Sequence, residues 1–252
     1  MENVSQVDGA VLEGSVIANM TKPKKNQNFK SYCCENFYSQ VQKYQKDYNA
    51  EQIDVVFDTY KTQTLKAATR TRRDKGIRRK VQDDSIAPTN WHAFLRLDEN
   101  KTELFNYLSK EMILPSSDDF VVTCAYDMNC VTNNGQLPSS FISPCNHEEA
   151  DTRVFLHVND MSLQGQKKIV VRTVDTDVLV LAVSVFARLK EQLEELWVDF
   201  GTGKHRQFIP AHKMFSTISQ SKAFALKFFH SFTGCDQVCF FSRVSKDSAW
   251  KV

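Results

Sequence analysis

The sequence lacks any run of about 18 uncharged apolar residues, the length that a membrane-spanning helix needs. Its first residues, MENVSQVDGAVLEGSV, include an acid where a secretory signal carries basic residues, and no long apolar core follows. Seven cysteines are present without a CxxC pair, a pattern that indicates neither a zinc site nor a disulfide framework. We therefore expect an intracellular protein that does not enter a membrane and that keeps its thiols reduced.

Glycine is also scarce, with 8 residues in 252, and neither an internal repeat nor a low-complexity linker is present. The hydrophobic share of 42% and the charged share of 25% are typical of a globular protein. Eighteen phenylalanines supply much of the apolar volume, and we expect Phe228, Phe229, Phe232, Phe240 and Phe241 to fill a core. The simplest organisation is a single domain over residues 1–252.

Strand and helix patterns alternate along the chain, which predicts an α/β fold with a mainly parallel central sheet flanked by helices. Strands are predicted over residues 4–8, 53–58, 119–127 and from 167, with a hairpin over 196–210. Helices are predicted from about residue 10 and over 28–47, 90–97, 99–112, 147–158 and 178–189, followed by two short helices beyond 210.

Positive charge is concentrated in residues 66–80, KAATRTRRDKGIRRK, where eight basic residues face the single acid Asp74. This segment has a net charge of +7. Because the whole chain has a net charge of +2, the remainder carries −5. A basic strip beside an acidic body predicts a polyanionic partner and a separate cation site. A solvated helix face and a nuclear-import signal are alternative interpretations of the strip.

Acids recur where the predicted strands end, at Asp8, Asp58, Asp175 and Asp177. Ligands of open α/β sheets bind beyond the carboxyl ends of the parallel strands, so these acids would face one crevice. Each could be a mere helix cap, but like charges gathered together need a cation. Hard oxygen donors without paired Cys or His favour Mg²⁺ or Mn²⁺.

A second acidic group, Glu148, Glu149 and Asp151, opens the predicted helix after Pro144. In a regular helix Glu148 and Asp151 lie one turn apart, whereas Glu149 and Asp151 lie on opposite sides. Which glutamate would be a metal ligand is left open at this point. The simpler interpretation is that acids favour the first turn of any helix.

Taken in order, these motifs resemble the flap endonuclease branch of the PIN-like nuclease superfamily. The resemblance rests on VDGA with Asp8, VVFDTY with Asp58, the basic strip, Glu149–Ala150–Asp151, Asp175–Thr176–Asp177 and Gly234–Cys235–Asp236. HEEADTR, DTDVLVL and FTGCD also resemble uncharacterised animal proteins that we associate with this superfamily. The six elements span residues 8–236, nearly the whole chain.

The resemblance implies a three-layer PIN-like fold with a basic helical arch at about residues 62–115. It implies a nuclease that hydrolyses DNA or RNA with two Mg²⁺ or Mn²⁺ ions, about 4 Å apart. The implied metal ligands are Asp8, Asp58, Glu149, Asp151, Asp175, Asp177 and Asp236. The implied catalytic cations are Lys66 and Arg70. Nucleic-acid contacts would come from Lys66, Arg70, Arg72, Arg73, Lys75, Arg78, Arg79 and Lys80.

Ligands of two neighbouring ions must be neighbours themselves, so Asp8 and Asp236 are expected within about 15 Å of Asp177. The family's helix–two-turn–helix module after the last aspartate has no room before residue 252. We therefore expect either a fragment or a different mode of gripping the substrate.

Three other classes of protein share parts of the pattern. The DTD motif is similar to the nucleophile loop of haloacid-dehalogenase-type phosphatases, in which Asp175 would be phosphorylated and Asp177 would act as acid and base. An RNase H-like transposase core also uses scattered carboxylates and two metals. A non-catalytic nucleic-acid-binding or scaffold domain would keep the strip and the fold without turnover.

Overall fold

A computed structural model of the chain describes residue 4 and residues 6–60, 76–113, 120–135, 140–234 and 245–250. Its centre is a seven-stranded sheet in the order β4-β3-β2-β1-β5-β6-β7. The strands are β1 (Gly9–Glu13), β2 (Gln52–Val56), β3 (Val121–Tyr126), β4 (Asn129–Thr132), β5 (Lys168–Thr173), β6 (Glu195–Phe200) and β7 (Gln207–Pro210).

Helices connect the strands and cover both faces of the sheet. The first group is α1 (Gly14–Met20), α2 (Phe29–Tyr32), a π-helical segment (Cys33–Tyr38), α3 (Ser39–Tyr48), α4 (Trp91–Leu95) and α5 (Asp98–Glu111). The second group is α6 (Ala150–Leu163), α7 (Thr176–Leu189), α8 (Ala211–Ser216), α9 (Gln220–Phe232) and α10 (Lys246–Trp250). A 3₁₀ turn, Gly203–His205, lies between β6 and β7.

Five strands, β3-β2-β1-β5-β6, run parallel, and the antiparallel strands β4 and β7 pair with β3 and β6. The chain first builds outward from β1 through β2 to β3. It then returns to the other side of β1 with β5 and β6. The strand order therefore reverses between β1 and β5, which is the type of switch point at which open α/β sheets bind ligands.

Side chains that alternate along each strand feed two hydrophobic cores, one on each face of the sheet. Leu12 of β1 and Val55 of β2 point to the face covered by α1–α5. Val11 and Val56, their neighbours, point to the face covered by α6, α7 and α8. The result is three layers, with the sheet between two layers of helices.

Most predicted elements are confirmed, including the hairpin of β6 and β7 and the buried helix after Asp177. The first strand was misplaced. Residues 4–8 were predicted as a strand followed by a helix from about residue 10, but β1 begins at Gly9 and α1 at Gly14. GAVLE is a short apolar run ending in a charge, and its strand character shows only when β2 and β5 pair with it on both sides.

The arch predicted for residues 62–115 lies largely outside the described residues, which omit 61–75 and 114–119. The described part contains α4 and α5. Both helices pack into the core through Trp91, Phe94, Leu104, Phe105 and Leu108. This stretch is therefore part of the helical layer that covers the sheet, and an arch remains a prediction for the residues before it.

Helix α6 is fixed to the sheet by buried polar groups as well as by apolar packing. Arg153 is fully buried, and its guanidinium donates to the carbonyls of Asp127 and Asn129 in the β3–β4 hairpin. His157 is also fully buried, with Nδ1 2.6 Å from Oδ2 of Asp54 on β2. These contacts hold the helix at a defined height along the strands.

The His157–Asp54 pair predicts a pH-dependent contribution to stability. Burial disfavours the imidazolium, but the hydrogen bond to Asp54 and the neighbouring Cys130 raise the pKa of His157 from 6.5 to about 9. The pair therefore stabilises the fold fully below pH 6.5, and this stabilisation is lost as the pH rises through about 9.

We expect the difference in unfolding free energy between wild type and His157→Gln to shrink by about 2–3 kcal/mol between pH 6 and pH 10. Urea denaturation at the two pH values measures it. A difference that stays constant with pH would show that folding does not shift the pKa of His157.

Candidate metal centre

Three acids come from the carboxyl ends of adjacent parallel strands. Glu13 is the last residue of β1, Asp58 follows β2 by two residues, and Asp175 follows β5 by two residues. Strands β2, β1 and β5 are neighbours in the sheet, so the three carboxylates meet at the carboxyl ends of these strands. This is the switch point described above.

The start of helix α6 brings a second set of acids to the same place. The backbone N–H of Ala150 donates to Oδ1 of Asp58 at 3.0 Å, and the N–H of Thr59 donates to the carbonyl of Glu148 at 2.7 Å. These two bonds fasten the first turn of α6 to the end of β2. Asp151 lies in that turn and is therefore directed toward the strand ends.

Together these groups enclose a cleft of about 220 Å³. Its walls are formed by Glu13, Asp58, Thr59, Tyr60, Glu148, Glu149, Asp151 and Asp175. Six of the eight lining residues are acids, and both Glu148 and Glu149 take part. Both glutamates therefore remain candidates for the metal ligand from this helix start.

Hydroxyl and amide groups order the floor of the cleft. Ser15 Oγ donates to Glu13 Oε1 at 2.7 Å, and Thr173 Oγ1 donates to Glu13 Oε2 at 2.8 Å. The N–H of Asp175 donates to Thr173 Oγ1 at 3.0 Å. Oδ1 of Asp175 in turn accepts the N–H of Asp177 at 2.8 Å, which caps helix α7. Each carboxylate is therefore held by neighbours at defined positions.

Crowded negative charge changes the acidity of the cleft. Burial, followed by repulsion from Asp175, Glu13 and Asp58, raises the pKa of Asp151 from 3.8 to about 8. Burial and repulsion from Asp58 raise the pKa of Glu13 to about 7, against the hydrogen bonds that it accepts. Without a cation, each of these two carboxyl groups is therefore partly protonated near neutral pH.

Asp58 is compensated by a nearby cation as well as by a hydrogen bond. Burial raises its pKa, while the Ala150 N–H and the ammonium of Lys101 oppose the rise. Lys101 lies in α5 with Nζ 4.0 Å from the ring centroid of Tyr60, and it pairs with Asp98 at 2.8 Å. Lys101 is a cation beside the cleft that sequence patterns did not single out.

The donor chemistry fits a hard divalent cation. The candidate donors are carboxylate oxygens, and the buried hydroxyl of Thr59 has no hydrogen-bond partner in the described part of the chain. Among the described residues, no three His, Cys, Asp or Glu side chains converge closely enough to form a complete metal cage. Mg²⁺ keeps several waters and takes only one or two carboxylates directly, so wider spacing suits it.

Four of the seven predicted metal ligands, Asp58, Glu149, Asp151 and Asp175, line the cleft together. Asp177 is adjacent in sequence to this group, but its Oδ1 lies 2.8 Å from Nε2 of His230 on α9. Asp236 lies outside the described residues.

Asp8 is a correction. It precedes β1, and its Oδ2 accepts the N–H groups of Lys167 and Lys168 at 2.6 and 2.9 Å. The five residues of β1 separate it from the cleft by roughly 16 Å at about 3.3 Å per residue. The expectation that all seven acids form one cluster is therefore wrong.

Glu13 occupies the position that sequence reasoning gave to Asp8. The available signal was the run GAVLE, in which three apolar residues lead to an acid. Placing the first strand five residues later along the chain would have identified it.

The predicted nucleic-acid contacts fall mostly outside the described residues: Lys66, Arg70, Arg72, Arg73 and Lys75. Arg79 and Lys80 are exposed. Arg78 is engaged within the protein, because its guanidinium bonds Glu103, Asn100 and Glu99. Any phosphate contact by Arg78 would have to compete with these acids.

The sequence matches no protein-family model, and a search of curated proteins found no significant match. Within the described part of the chain, no helix is both long and apolar enough to cross a membrane.

Divalent cations should stabilise the protein through the cleft. Mn²⁺ in 100-fold excess over its Kd would add about 2.7 kcal/mol, so we expect a rise in Tm with Mn²⁺ or Mg²⁺. Asp175→Asn should remove most of this rise. Asp8→Asn changes a side chain at the amino end of β1, far from the cleft, and should keep this rise in Tm.

Removing one repelling charge should stabilise the metal-free protein. The pKa of Asp151 is raised in the fold, so its ionisation destabilises the fold increasingly from pH 4 to about 8. In EDTA at pH 9, Asp151→Asn should raise Tm by at least about 2 °C, and much less at pH 5. Scanning calorimetry at both pH values would reveal a lowered Tm at pH 9 if the repulsion were unimportant.

Proposed function

We propose that this chain is a divalent-metal-dependent nuclease that hydrolyses phosphodiester bonds in DNA or RNA. The observation that carries the proposal is the cleft, in which carboxylates from β1, β2, β5 and α6 meet at the switch point of the sheet. The resemblance to the PIN-like superfamily agrees with this arrangement at Asp58, Glu149, Asp151 and Asp175. A PIN-like fold is part of the proposal.

Glu13, Asp58, Asp151 and Asp175 are the residues proposed to hold Mg²⁺ or Mn²⁺, with Glu148 or Glu149 at the rim. Bound ions would supply charge that neutralises a phosphodiester and lowers the pKa of a water molecule. Thr173 and Ser15 would keep Glu13 oriented toward the ions through the two hydrogen bonds to its carboxylate. Such outer contacts fix the geometry of metal ligands.

In this proposal the acids hold the metal and the basic residues contact the substrate. Six acids in the cleft repel a polyanion unless a cation is present, so substrate binding there depends on metal. Lys101 beside Asp58 and Tyr60 supplies a local positive charge at the same rim. The basic strip, with Lys66 and Arg70 as the proposed catalytic cations, would contact the phosphate backbone farther out.

The test is cleavage of labelled single-stranded RNA and 5′-flap DNA in Mn²⁺, in Mg²⁺ and in EDTA. We expect cleavage only with metal, and a loss of at least about 100-fold in Asp175→Asn and in Glu13→Gln. Asp8→Asn is the matched control, because it changes the same kind of side chain at the far edge and should cleave within a few-fold of wild type.

Three further outcomes would point to competing functions or to a different ligand set. Absence of cleavage with intact, salt-sensitive binding of nucleic acid would favour a binding domain on an inactive nuclease fold. Hydrolysis of p-nitrophenyl phosphate instead of oligonucleotides, abolished by Asp175→Asn, would favour the phosphatase hypothesis. Equal loss of activity in Asp8→Asn and Glu13→Gln would contradict Glu13 as the ligand from β1.

A further inference from the structure

The part of the chain after β6 has a one-sided charge. From Gly201 to Gly234 the sequence contains five basic residues and no Asp or Glu. The basic residues are Lys204, Arg206, Lys213, Lys222 and Lys227. Lys213 lies in α8, and Lys222 and Lys227 lie in α9, whereas Arg206 is paired with the buried Asp199.

Helix α9 also exposes two large aromatic side chains. Phe228 is 68% exposed and Phe232 is 69% exposed, although both were expected in the core. They are four residues apart and therefore lie on the same face of the helix. Ala223 is buried and Leu226 packs against the apolar core on the other side, which accounts for how α9 is held against α7.

Positive charge accompanies the aromatic rings. The ammonium of Lys227 lies 5.2 Å from the ring centroid of Phe228. On the same helix, Lys222 lies 5.6 Å from the ring of Trp250 in α10. Exposed aromatics interleaved with basic side chains form the kind of surface that binds single strands, since bases stack on the rings while ammonium groups contact phosphates.

The opposite side of α9 is fixed to α7 by hydrogen bonds. His230 lies about 200° around the helix from Phe228, and its Nε2 lies 2.8 Å from Oδ1 of Asp177 in the first turn of α7. Lys246 Nζ lies 2.9 Å from Nδ1 of the same imidazole. An ammonium can only donate, so Nδ1 accepts from Lys246, and Nε2–H donates to Asp177. These contacts hold α9 against α7, so Phe228 and Phe232 point away from α7.

We propose that the exposed face of α9, formed by Phe228, Phe232 and Lys227, binds single-stranded nucleic acid. The ligand is a single strand, because stacking needs unpaired bases and the ammonium of Lys227 lies beside the ring of Phe228 to contact a phosphate. As a binding site for the substrate, this face rests on the proposed nuclease function. As a binding surface, it can be measured without any cleavage.

The experiment measures fluorescence anisotropy of labelled dT20 and rU20 in EDTA, which keeps catalysis out of the result. The double variant Phe228→Ala/Phe232→Ala should raise Kd at least about fivefold for one or both strands. Lys227→Gln should reduce the slope of log Kd against log salt by about 0.7.

Two controls make matching changes at the carboxyl-terminal ends of helices α6 and α7. Leu163 at the end of α6 is 51% exposed, so Leu163→Ala removes a comparable exposed apolar side chain. Lys190 follows α7, whose 14 residues separate it from the cleft by about 21 Å, and Lys190→Gln removes one charge there. Both controls should bind as wild type does.

Single substitutions at Phe228 separate base stacking from a general apolar contact and from misfolding. Phe228→Tyr keeps a ring and should bind as wild type does, whereas Phe228→Leu keeps apolar area without a ring and should bind weakly. Full binding by Phe228→Leu would overturn the proposal, because it would indicate an apolar contact such as a protein docking surface. Unchanged binding by the double variant, or no binding by wild type, would also overturn it.

The outcomes distinguish this face from the nuclease proposal. If binding depends on Phe228 and Phe232 but no metal-dependent cleavage occurs, the face stands and the nuclease proposal fails. If Asp175-dependent cleavage occurs while the double variant binds as wild type does, the nuclease proposal stands and the face fails.

Discussion

Repulsion among the acids of the cleft is the interaction that the surrounding structure has to offset. Burying several carboxylates side by side costs free energy, and two of them have pKa values of about 7 and 8 as a result. The fold offsets part of this cost with directed donors: the Ala150 N–H on Asp58, and the hydroxyls of Ser15 and Thr173 on Glu13. A bound cation would offset the remainder.

Helix α6 has to be rigid for this arrangement to persist, and its buried polar contacts provide that rigidity. Arg153 ties the helix to the β3–β4 hairpin, and His157 ties it to Asp54 in β2. Breaking either contact would leave a buried charge without its partner, which is strongly destabilising. The acids at the start of α6 are thus held in place by residues one and two turns farther along the same helix.

Local patterns were sufficient to predict the alternation of strands and helices, since periodicity records which side of an element is buried. They were also sufficient to place Asp58 and Asp175 at the carboxyl ends of strands, because each follows a clearly apolar strand. They failed for Glu13, since GAVLE is defined as a strand by pairing with residues some 40 and 160 positions away. The exposure of Phe228 and Phe232 could not be predicted either, because composition does not show which side chains of a helix are exposed.

The edges of the sheet have a consequence for how the protein meets other chains. Strands β4 and β7 are only four residues long, both are antiparallel additions to a parallel sheet, and β7 ends in Pro210, which has no N–H to offer. Short edge strands are poor templates for pairing with a foreign strand, and at β7 the proline weakens such pairing further. Strand-to-strand aggregation is thereby disfavoured at β4 by its length and at β7 by its length and its proline.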